Sequence, residues 1–480
     1  MHDFIVIGSG IVGALITREL SKYPVSVLVL DKENDIASHQ TTANSAIIHS
    51  GHDPKPNTLK AKLCVLGNRL YDDLEKELNI PLLRTGAFVV AHNKQEEAML
   101  DILYDRATTN GVDKVYLLDG HDALKEEPRL SKDITKVLSL PTTKVTYPWE
   151  VAIAAITNAV KNGAGFKRNA EVIDIKHHED HFTLTLKNGE QLEAKKIINA
   201  SGVNSDDIAK LLEDDFPLSI QPRKGEYFVL DRKAKGLFNH VIYPLPTEKG
   251  KGVLIVPQVH GNILLGPTSN NITDKSDASN TKNGLAYIKE ALSSLATHIP
   301  YDMIIRTFAG VRASSTYDDF YIKESIKYKG FYHVAGIDSP GLTAAPAIAK
   351  YLVEDIIKLD LPLKNDFDPI RLKPKSFHTL DEETKTKMVK DNPKYGNLIC
   401  KCEKITEQEI IDAIHGPTGN DTIKGIKKRA RAGSGLCQGG YCESLVLKII
   451  ARETGQKIDQ INYYQEHTEI LVCEVGKHEE

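Results

Sequence analysis

The chain opens on a short apolar run in DFIVIG, continues through the helix-like GALITRELSK, and reaches a second apolar run in PVSVLVLD. Short apolar runs bounded by glycine or charge predict buried strands, and the apolar spacing between them predicts a helix, so these residues read as a strand–helix–strand unit. LKAKLCVLGNRLYDDLEKEL, near residues 60–80, keeps helical periodicity. Strand-like patterns follow in GAFVVAH, HFTLTLKNG, GEYFVLD and GVLIVPQVHGNILLG, punctuated by turn signals at Asn188-Gly189 and His260-Gly261-Asn262. KKIINASG reads as a core strand running into a small-residue turn. FYHVAGIDSPGLTAAPAIAKYLVEDIIK reads as a strand, a Gly/Pro loop and a long apolar helix. From about residue 362 to 395 the pattern turns polar and proline-dotted, as expected of a linker carrying one helix, and a compact region follows it.

The turn between the first two strands carries chemistry. VIGSGIVG sets Gly8, Gly10 and Gly13 in G-x-G-x-x-G spacing, after a strand and at the opening of a helix. The first glycine permits the tight turn, the second lets backbone approach a pyrophosphate, and the third allows helix and strand to pack closely. The helix N-terminus presents N–H groups and the positive end of its dipole to the phosphates. Asp31 closes the second strand eighteen positions past Gly13, where a carboxylate can bond a ribose hydroxyl. The motif indicates a dinucleotide and does not by itself separate NAD from FAD.

Length and composition narrow the class. At 480 residues the chain has room for about three domains of ~150 residues. With 41% hydrophobic and 26% charged residues it reads as an ordinary globular protein. The net charge of -4 and the lack of long like-charge blocks argue against a nucleic-acid arm. No stretch approaches the ~20 apolar residues of a membrane span. The N-terminus lacks a basic leader and its apolar run is broken by glycines, so a cytoplasmic location is expected. Thiols stay reduced there, and the six cysteines are expected to bind metal, catalyse or pack rather than form disulfides.

Beyond the turn, NSAIIHSG, KGEYFVL, GNILLGPT, AGVRAS and GIDSPGLTAAPAIAKYLVEDI occur in order. Together they resemble the D-amino-acid-oxidase-like FAD-dependent oxidoreductases over about residues 1–365. The branch they are most similar to holds L-2-hydroxyglutarate dehydrogenase and the large subunit of anaerobic glycerol-3-phosphate dehydrogenase. The resemblance implies an α/β and α+β architecture. A Rossmann-like FAD-binding domain would use residues 1–80, 145–215 and 331–365. An inserted β-sheet substrate domain would use 81–144 and 216–330. It also implies that Gly8, Gly10, Gly13 and Asp31 bind the ADP half of FAD. Thr41, Thr42, Asn44 and Ser45 would lie along the pyrophosphate and flavin, Ala200, Ser201 and Gly202 would line the cofactor, and Gly341, Leu342 and Thr343 would meet the flavin end.

Oxidising an alcohol at a flavin requires a base for the hydroxyl proton and a cation for an acidic substrate. His49, in IIHSG, is the candidate base, because imidazole titrates in the useful range; the alternative is a structural histidine. His240 and His260 are weaker candidates. Arg312, in AGVRAS, is the candidate anchor, since guanidinium clamps carboxylate or phosphate bidentately; the alternative is a salt bridge. Tyr243, Lys224 and Lys60 can add polar contacts.

Four cysteines remain. Cys400 and Cys402 lie in ICKCEKIT, and Cys437 and Cys442 lie in GLCQGGYC thirty-four residues further on. Four thiolates from two loops suit zinc or an iron–sulfur cluster, with free thiols as the remaining reading. Glycines around Cys437 let backbone N–H groups face sulfur. The two stretches resemble the bacterioferritin-associated-ferredoxin-like [2Fe-2S] domain, over about residues 396–455, after a linker at 366–395 and before a tail at 456–480. Cys64 and Cys473 are expected to pack structurally.

These resemblances imply a dehydrogenase, not an oxidase. FAD would take two electrons from a small anionic hydroxy substrate, and the cluster would pass them singly to an electron-accepting partner subunit. Glycerol 3-phosphate is the expected substrate. L-2-hydroxyglutarate is the first alternative, and amine oxidation a related one. The rival of another class is a non-catalytic flavin and iron–sulfur electron-transfer subunit.

Overall fold

The computed structural model describes residues 1–246, 252–373 and 376–471; Cys473 lies outside these. The chain divides into two compact units, one of residues 1–30 and 37–371 and one of residues 31–36 and 372–480. The length allows three domains, but both large sheets fall in the first unit.

Its first sheet has eight strands among the described residues, built around His2–Ile7. That strand lies parallel to Val27–Leu30 on one side and Gln191–Asn199 on the other, with Ile5 opposite both Leu28 and Ile197. Strands flanked by partners on both edges and helices on the faces are buried throughout, which is why these runs are continuous rather than alternating. The helix Ile11–Leu20 is buried almost all round, Arg18 included. The Arg18 guanidinium is carried by Glu77 at 2.6 Å and the Asn158 amide at 2.9 Å, so its charge is paired where water is excluded. Tyr321–Glu324, within the stretch assigned by resemblance to the substrate domain, pairs instead with Phe331–Ala335 in this first sheet.

The second sheet has nine strands among the described residues. Its longest pairing joins Arg223–Leu230 to Ile304–Arg312 antiparallel, with Gly225 facing Gly310 and Arg223 facing Arg312. Val241–Tyr243 lies parallel to Ala87–Ala91, joining the later strands to residues from the first hundred. A small three-stranded sheet of Ile47–Ile48, Lys144–Thr146 and Leu82–Leu83 completes the unit.

Among the described residues the second unit holds a hairpin, Leu398–Cys400 with Ile405–Thr406, and four α-helices, Glu382–Asp391, Glu407–His415, Ile423–Ala430 and Glu443–Thr454. Thr406 and Glu409 form a capping box at the helix Glu407–His415, and Gly455 in the left-handed region ends the helix Glu443–Thr454. Ile405, Ile410, Ile426, Val446 and Ile450 form its core. Much of the stretch expected as a linker, and residues Ile458 and Tyr463 of the expected tail, belong to this unit.

Residues 31–36 also belong here. Asp35, 3% exposed, pairs with Arg429 at 2.7 Å and Lys428 at 3.0 Å, and Lys428 also bonds the carbonyl of Ile36 at 2.8 Å. Burial alone raises the Asp35 carboxyl; the charges of Arg429 and Lys428 overcome it and hold the group well below the usual carboxylate range. Its contribution to stability is therefore complete above about pH 4 and is lost as pH falls below that. Asp35→Ala leaves two buried cations uncompensated and is expected to destabilise this unit by about 3–5 kcal/mol, read by limited proteolysis across a urea series. Wild-type resistance in the variant would contradict it.

Candidate functional site

The glycine turn has the geometry that a pyrophosphate requires. Gly8 holds φ +106, a region closed to most side chains, and a Cβ there would come 2.6 Å from the carbonyl oxygen of Ala200. A Cβ on Gly13 would overlap the Gly8 carbonyl outright. The helix Ile11–Leu20 starts at Gly10 with no side chain capping it, and the Ile11 N–H donates to Thr41 Oγ1 at 3.0 Å. Dipole end and a side-chain-free glycine turn thus coincide, with one hydroxyl, that of Thr41, at the first N–H, and the residues fit a dinucleotide. Ala200 N–H bonds the Ile7 carbonyl at 3.0 Å, Ser201 Oγ bonds Asn199 at 2.6 Å, and Gly202 takes φ +61 as the chain turns away. Asp31 follows the strand Val27–Leu30 directly, and its carboxylate accepts from the Glu33 N–H at 3.0 Å.

Residues 40–46 form a shaped loop. Asn44 bonds the carbonyls of Gln40 and Thr41 with its amide nitrogen and accepts from the Ala46 N–H, so its side chain builds the turn. Thr42 Oγ1 bonds the His39 carbonyl. Ser45 Oγ meets the Tyr227 hydroxyl at 3.3 Å. The glycine at 310 is required because any Cβ would overlap the Ala43 carbonyl, which seats this loop on the strand Ile304–Arg312.

Gln40 escaped the sequence reading. Its oxygen accepts from the Ala313 N–H at 3.2 Å and its nitrogen donates to the Ile337 carbonyl at 3.0 Å. One amide therefore joins the loop, the end of the arginine-bearing strand and the approach to the helix Gly341–Tyr351. A polar residue beside Thr41-Thr42 was the available signal, and it is indistinguishable from a solvated loop residue.

His49 is fixed from several sides. Its N–H donates to Thr343 Oγ1 at 2.8 Å, and its carbonyl accepts from the Asn68 amide at 3.0 Å. Ring Nδ1 lies 3.0 Å from the Tyr243 hydroxyl. Tyr243 is 2% exposed, and burial, with the charges of Asp53 and Cys64, pushes its phenol well above the ordinary range, so it stays neutral. The Thr343 hydroxyl is occupied by the backbone of residues 47–49, and the Leu342 carbonyl by Tyr71. Gly341 packs with its Cα against Ile337.

Arg312 donates to the Thr268 carbonyl at 2.9 Å, with Ser269 Oγ at 3.5 Å. Among the described residues no carboxylate lies within ion-pair range of its half-buried guanidinium. Gly225 makes room for it, since a Cβ there would come 2.5 Å from the guanidinium nitrogen. The other cations considered are engaged: Lys60 pairs with Asp338 at 2.9 Å and Lys224 with Asp277 at 2.6 Å. His240 bonds Glu127 at 2.9 Å and stacks on Phe88, and the ring of His260 packs on Tyr147.

In the second unit the sulfurs of Cys400 and Cys402 stand 3.7 Å apart, the separation of two ligands on one tetrahedral ion with bonds of about 2.3 Å. The hydrogen bond with Cys442 lowers the Cys400 thiol; burial opposes it, and the N–H groups of Gly433 and Glu403 help bring it to about 5. Burial and the charge on Cys400 push Cys402 up to about 12. Burial raises Cys437, but the N–H groups of Gly439 and Tyr441 bring it below the ordinary thiol value. Cys442 is driven up by its bond to Cys400 and by burial. Crowded thiols resist ionising together unless cations sit among them, and iron supplies that charge. A two-iron cluster takes two thiolates per iron, and four thiols in mutual contact can supply them. Cys64 is buried in the first unit.

Fold and glycine turn define a dinucleotide-binding flavoprotein with a separate thiol-rich unit. Residues 3–355 match the FAD dependent oxidoreductase family and residues 398–452 the BFD-like [2Fe-2S] binding domain. The chain belongs to that oxidoreductase family; it is an enzyme whose cofactors are FAD and a [2Fe-2S] cluster. It is 40% identical to glycerol 3-phosphate dehydrogenase of Caloramator mitchellensis over 98% of both chains. It is 32% identical to L-2-hydroxyglutarate dehydrogenase of Bos taurus over 56% of this chain and 60% of that one. The FAD-bound structure of L-alpha-glycerophosphate oxidase from Mycoplasma pneumoniae superposes with a TM-score of 0.74 at 28% identity, covering 78% of this chain and 99% of that one. No helix among the described residues is long and apolar enough to cross a membrane.

Gly13→Val is expected to cut flavin affinity about tenfold or more, measured as flavin absorbance per protein, because the added carbons meet the Gly8 carbonyl. Full flavin content would show that the turn does not seat the cofactor.

Proposed function

We propose that the chain oxidises sn-glycerol 3-phosphate to dihydroxyacetone phosphate and hands the electrons through its cluster to a separate acceptor. The observation that carries the substrate class is Arg312, a guanidinium tethered by one carbonyl and left without an acid partner among the described residues. Such a cation favours a small dianion, whose oxygens can take both arms of the fork. The name of the Caloramator relative, matched over nearly its whole length, favours the phosphate over the 2-hydroxy acid. L-2-Hydroxyglutarate is the alternative, through the bovine relative.

FAD, when bound, supplies the acceptor for the hydride from the carbinol carbon, and the cluster, when bound, supplies one-electron transfer. The remaining work falls to side chains. His49 takes the hydroxyl proton while the O–H electron pair becomes the second bond of the ketone. With Nδ1 facing the Tyr243 hydroxyl, proton exchange with substrate is assigned to Nε2. For this role His49 carries its proton on Nδ1, where the neutral Tyr243 hydroxyl can accept it and steady the imidazolium that forms. Gly8, Gly10, Gly13, Asp31 and the loop 41–45 hold the cofactor, Ala200, Ser201 and Gly202 line it, and Gly341 and Leu342 face its flavin end. Thr343 acts on it through His49. Cys400, Cys402, Cys437 and Cys442 hold the cluster. A thiolate-held cluster, as the match to the BFD-like domain implies, favours a reducing, cytoplasmic site of action.

Dye-linked turnover tests the substrate: glycerol 3-phosphate should support it and L-2-hydroxyglutarate should not, and the reverse result would overturn the reading. Arg312→Lys keeps the charge and loses the fork; it is expected to raise KM about 10–100-fold with flavin retained. An unchanged KM would remove Arg312 from the site.

Tyr243→Phe removes one hydroxyl from a buried ring. The kcat should fall about tenfold, and the acid limb of kcat/KM should move to lower pH, because the imidazolium loses its partner. An unmoved limb, with His49→Ala inactive, would confine Tyr243 to packing.

A further inference from the structure

Among the exposed large apolar side chains of the second unit, three fall within ten residues of one another: Leu436 is 57% exposed, Tyr441 81% and Leu445 42%. Leu436 precedes Cys437 and Tyr441 precedes Cys442 on one short loop, and Leu445 lies in the first turn of the helix that follows. The loop is folded into consecutive turns, Gly440 N–H to the Cys437 carbonyl and Cys442 N–H to that of Gly439, both at 3.0 Å. The Tyr441 N–H bonds the Cys437 sulfur, so this exposed ring grows from a residue already in contact with a thiol. The loop also reaches the other cysteine pair, since a Cβ on Gly435 would come 2.5 Å from the sulfur of Cys402.

Depth separates the four thiols. Cys400 and Cys442 are buried, whereas Cys402 and Cys437 are partly exposed. The shallow side of the thiol cluster is therefore the side that Leu436 and Tyr441 flank. The exposed charges flanking Cys402 are basic, while Glu443, partly buried, lies against Gly439 and accepts from the Tyr463 hydroxyl. Lys401 and Lys404 are exposed on either side of Cys402. The acid between them, Glu403, is buried and paired with Arg431 at 3.0 Å. Apolar surface of this kind, collared by charge, marks a protein contact rather than a solvated loop.

We infer that this face docks a separate one-electron acceptor protein whose own contact surface has an apolar centre and an acidic rim. The inference rests on the proposed outlet through the cluster. Electron-transfer contacts are small, so a few apolar side chains and a basic collar suffice, with the charges steering encounter. Each alcohol oxidised to ketone releases two electrons and two protons. Two ferric acceptor molecules take one electron each, and the protons pass to solvent.

The test uses the holoenzyme reducing cytochrome c on glycerol 3-phosphate, with the native basic protein and its succinylated, acidic form as paired acceptors. The succinylated form should be reduced about tenfold faster at low salt, with the difference vanishing as ionic strength rises. Lys401→Glu with Lys404→Glu should reverse the preference. Leu436→Ser with Tyr441→Ser should slow reduction of both forms about tenfold, with dye-linked turnover and the cluster's EPR signal intact. Equal rates for both cytochromes, or reduction unaffected by the serine pair, overturns the inference. So does fast reduction of a vesicle-borne quinone that both variants leave unchanged. Loss of dye reduction in the unaltered enzyme would instead defeat the underlying reading.

Discussion

One close approach of backbone to backbone underlies the first unit. The helix Ile11–Leu20 lies so near the strand before it that the Cα of Gly13 rests on the Gly8 carbonyl, and Gly8 in turn lies under Ala200. No side chain other than hydrogen fits either place. The consequence is electrostatic as well as steric. A helix that close brings its N-terminus to the end of the parallel sheet, where the strands His2–Ile7 and Gln191–Asn199 both finish. A pyrophosphate placed there meets N–H groups and a dipole end, with glycines in place of side chains on the turn and the Thr41 hydroxyl beside it.

From that point the substrate side is assembled by side chains acting on distant backbone. Gln40 ties Ala313 to Ile337, Thr343 holds the His49 N–H, and Tyr243 holds its ring. These bonds join residues separated by up to 297 positions. Each is worth only about 1 kcal/mol in stability. In the proposed reaction their value lies in fixing direction: a proton transfer at His49 would be sensitive to which ring nitrogen faces substrate, and the bond at the other nitrogen bears on that.

Legibility in the sequence followed the range of the interactions. The glycine turn and its flanking strands were readable because strand, turn and helix lie within thirty residues and each has its own period. The cysteine loops were readable because thiols are few and their spacing is local. Partnerships made across the sheet were not. Lys60 and Lys224 look like free cations in the sequence, yet each meets an acid far along the chain, Asp338 and Asp277. Tyr243 and His49, 194 positions apart, reveal their pairing only once Val241–Tyr243 has joined its sheet beside residues of the first hundred. The assignment of Asp31–Ile36 to the second unit was equally hidden, because it depends on Asp35 finding Lys428 and Arg429.

The second unit faces a different constraint, since its chemistry opposes its own folding. Four thiols are gathered so that they cannot all ionise together: Cys402 and Cys442 are driven up while Cys400 and Cys437 go down. Without cations that crowding is a cost, and with iron it becomes binding energy, so metal and fold are linked. The unit is not left to the metal alone. Its helices close over an isoleucine-rich core, and a capping box, a left-handed glycine and the Asp35 ion pairs fix their ends and flanks. The two cysteine loops are thereby anchored, since Cys400 and Cys442 are themselves members of that core. Such a frame lets Cys402 and Cys437 sit near the surface without the site opening to solvent on every side.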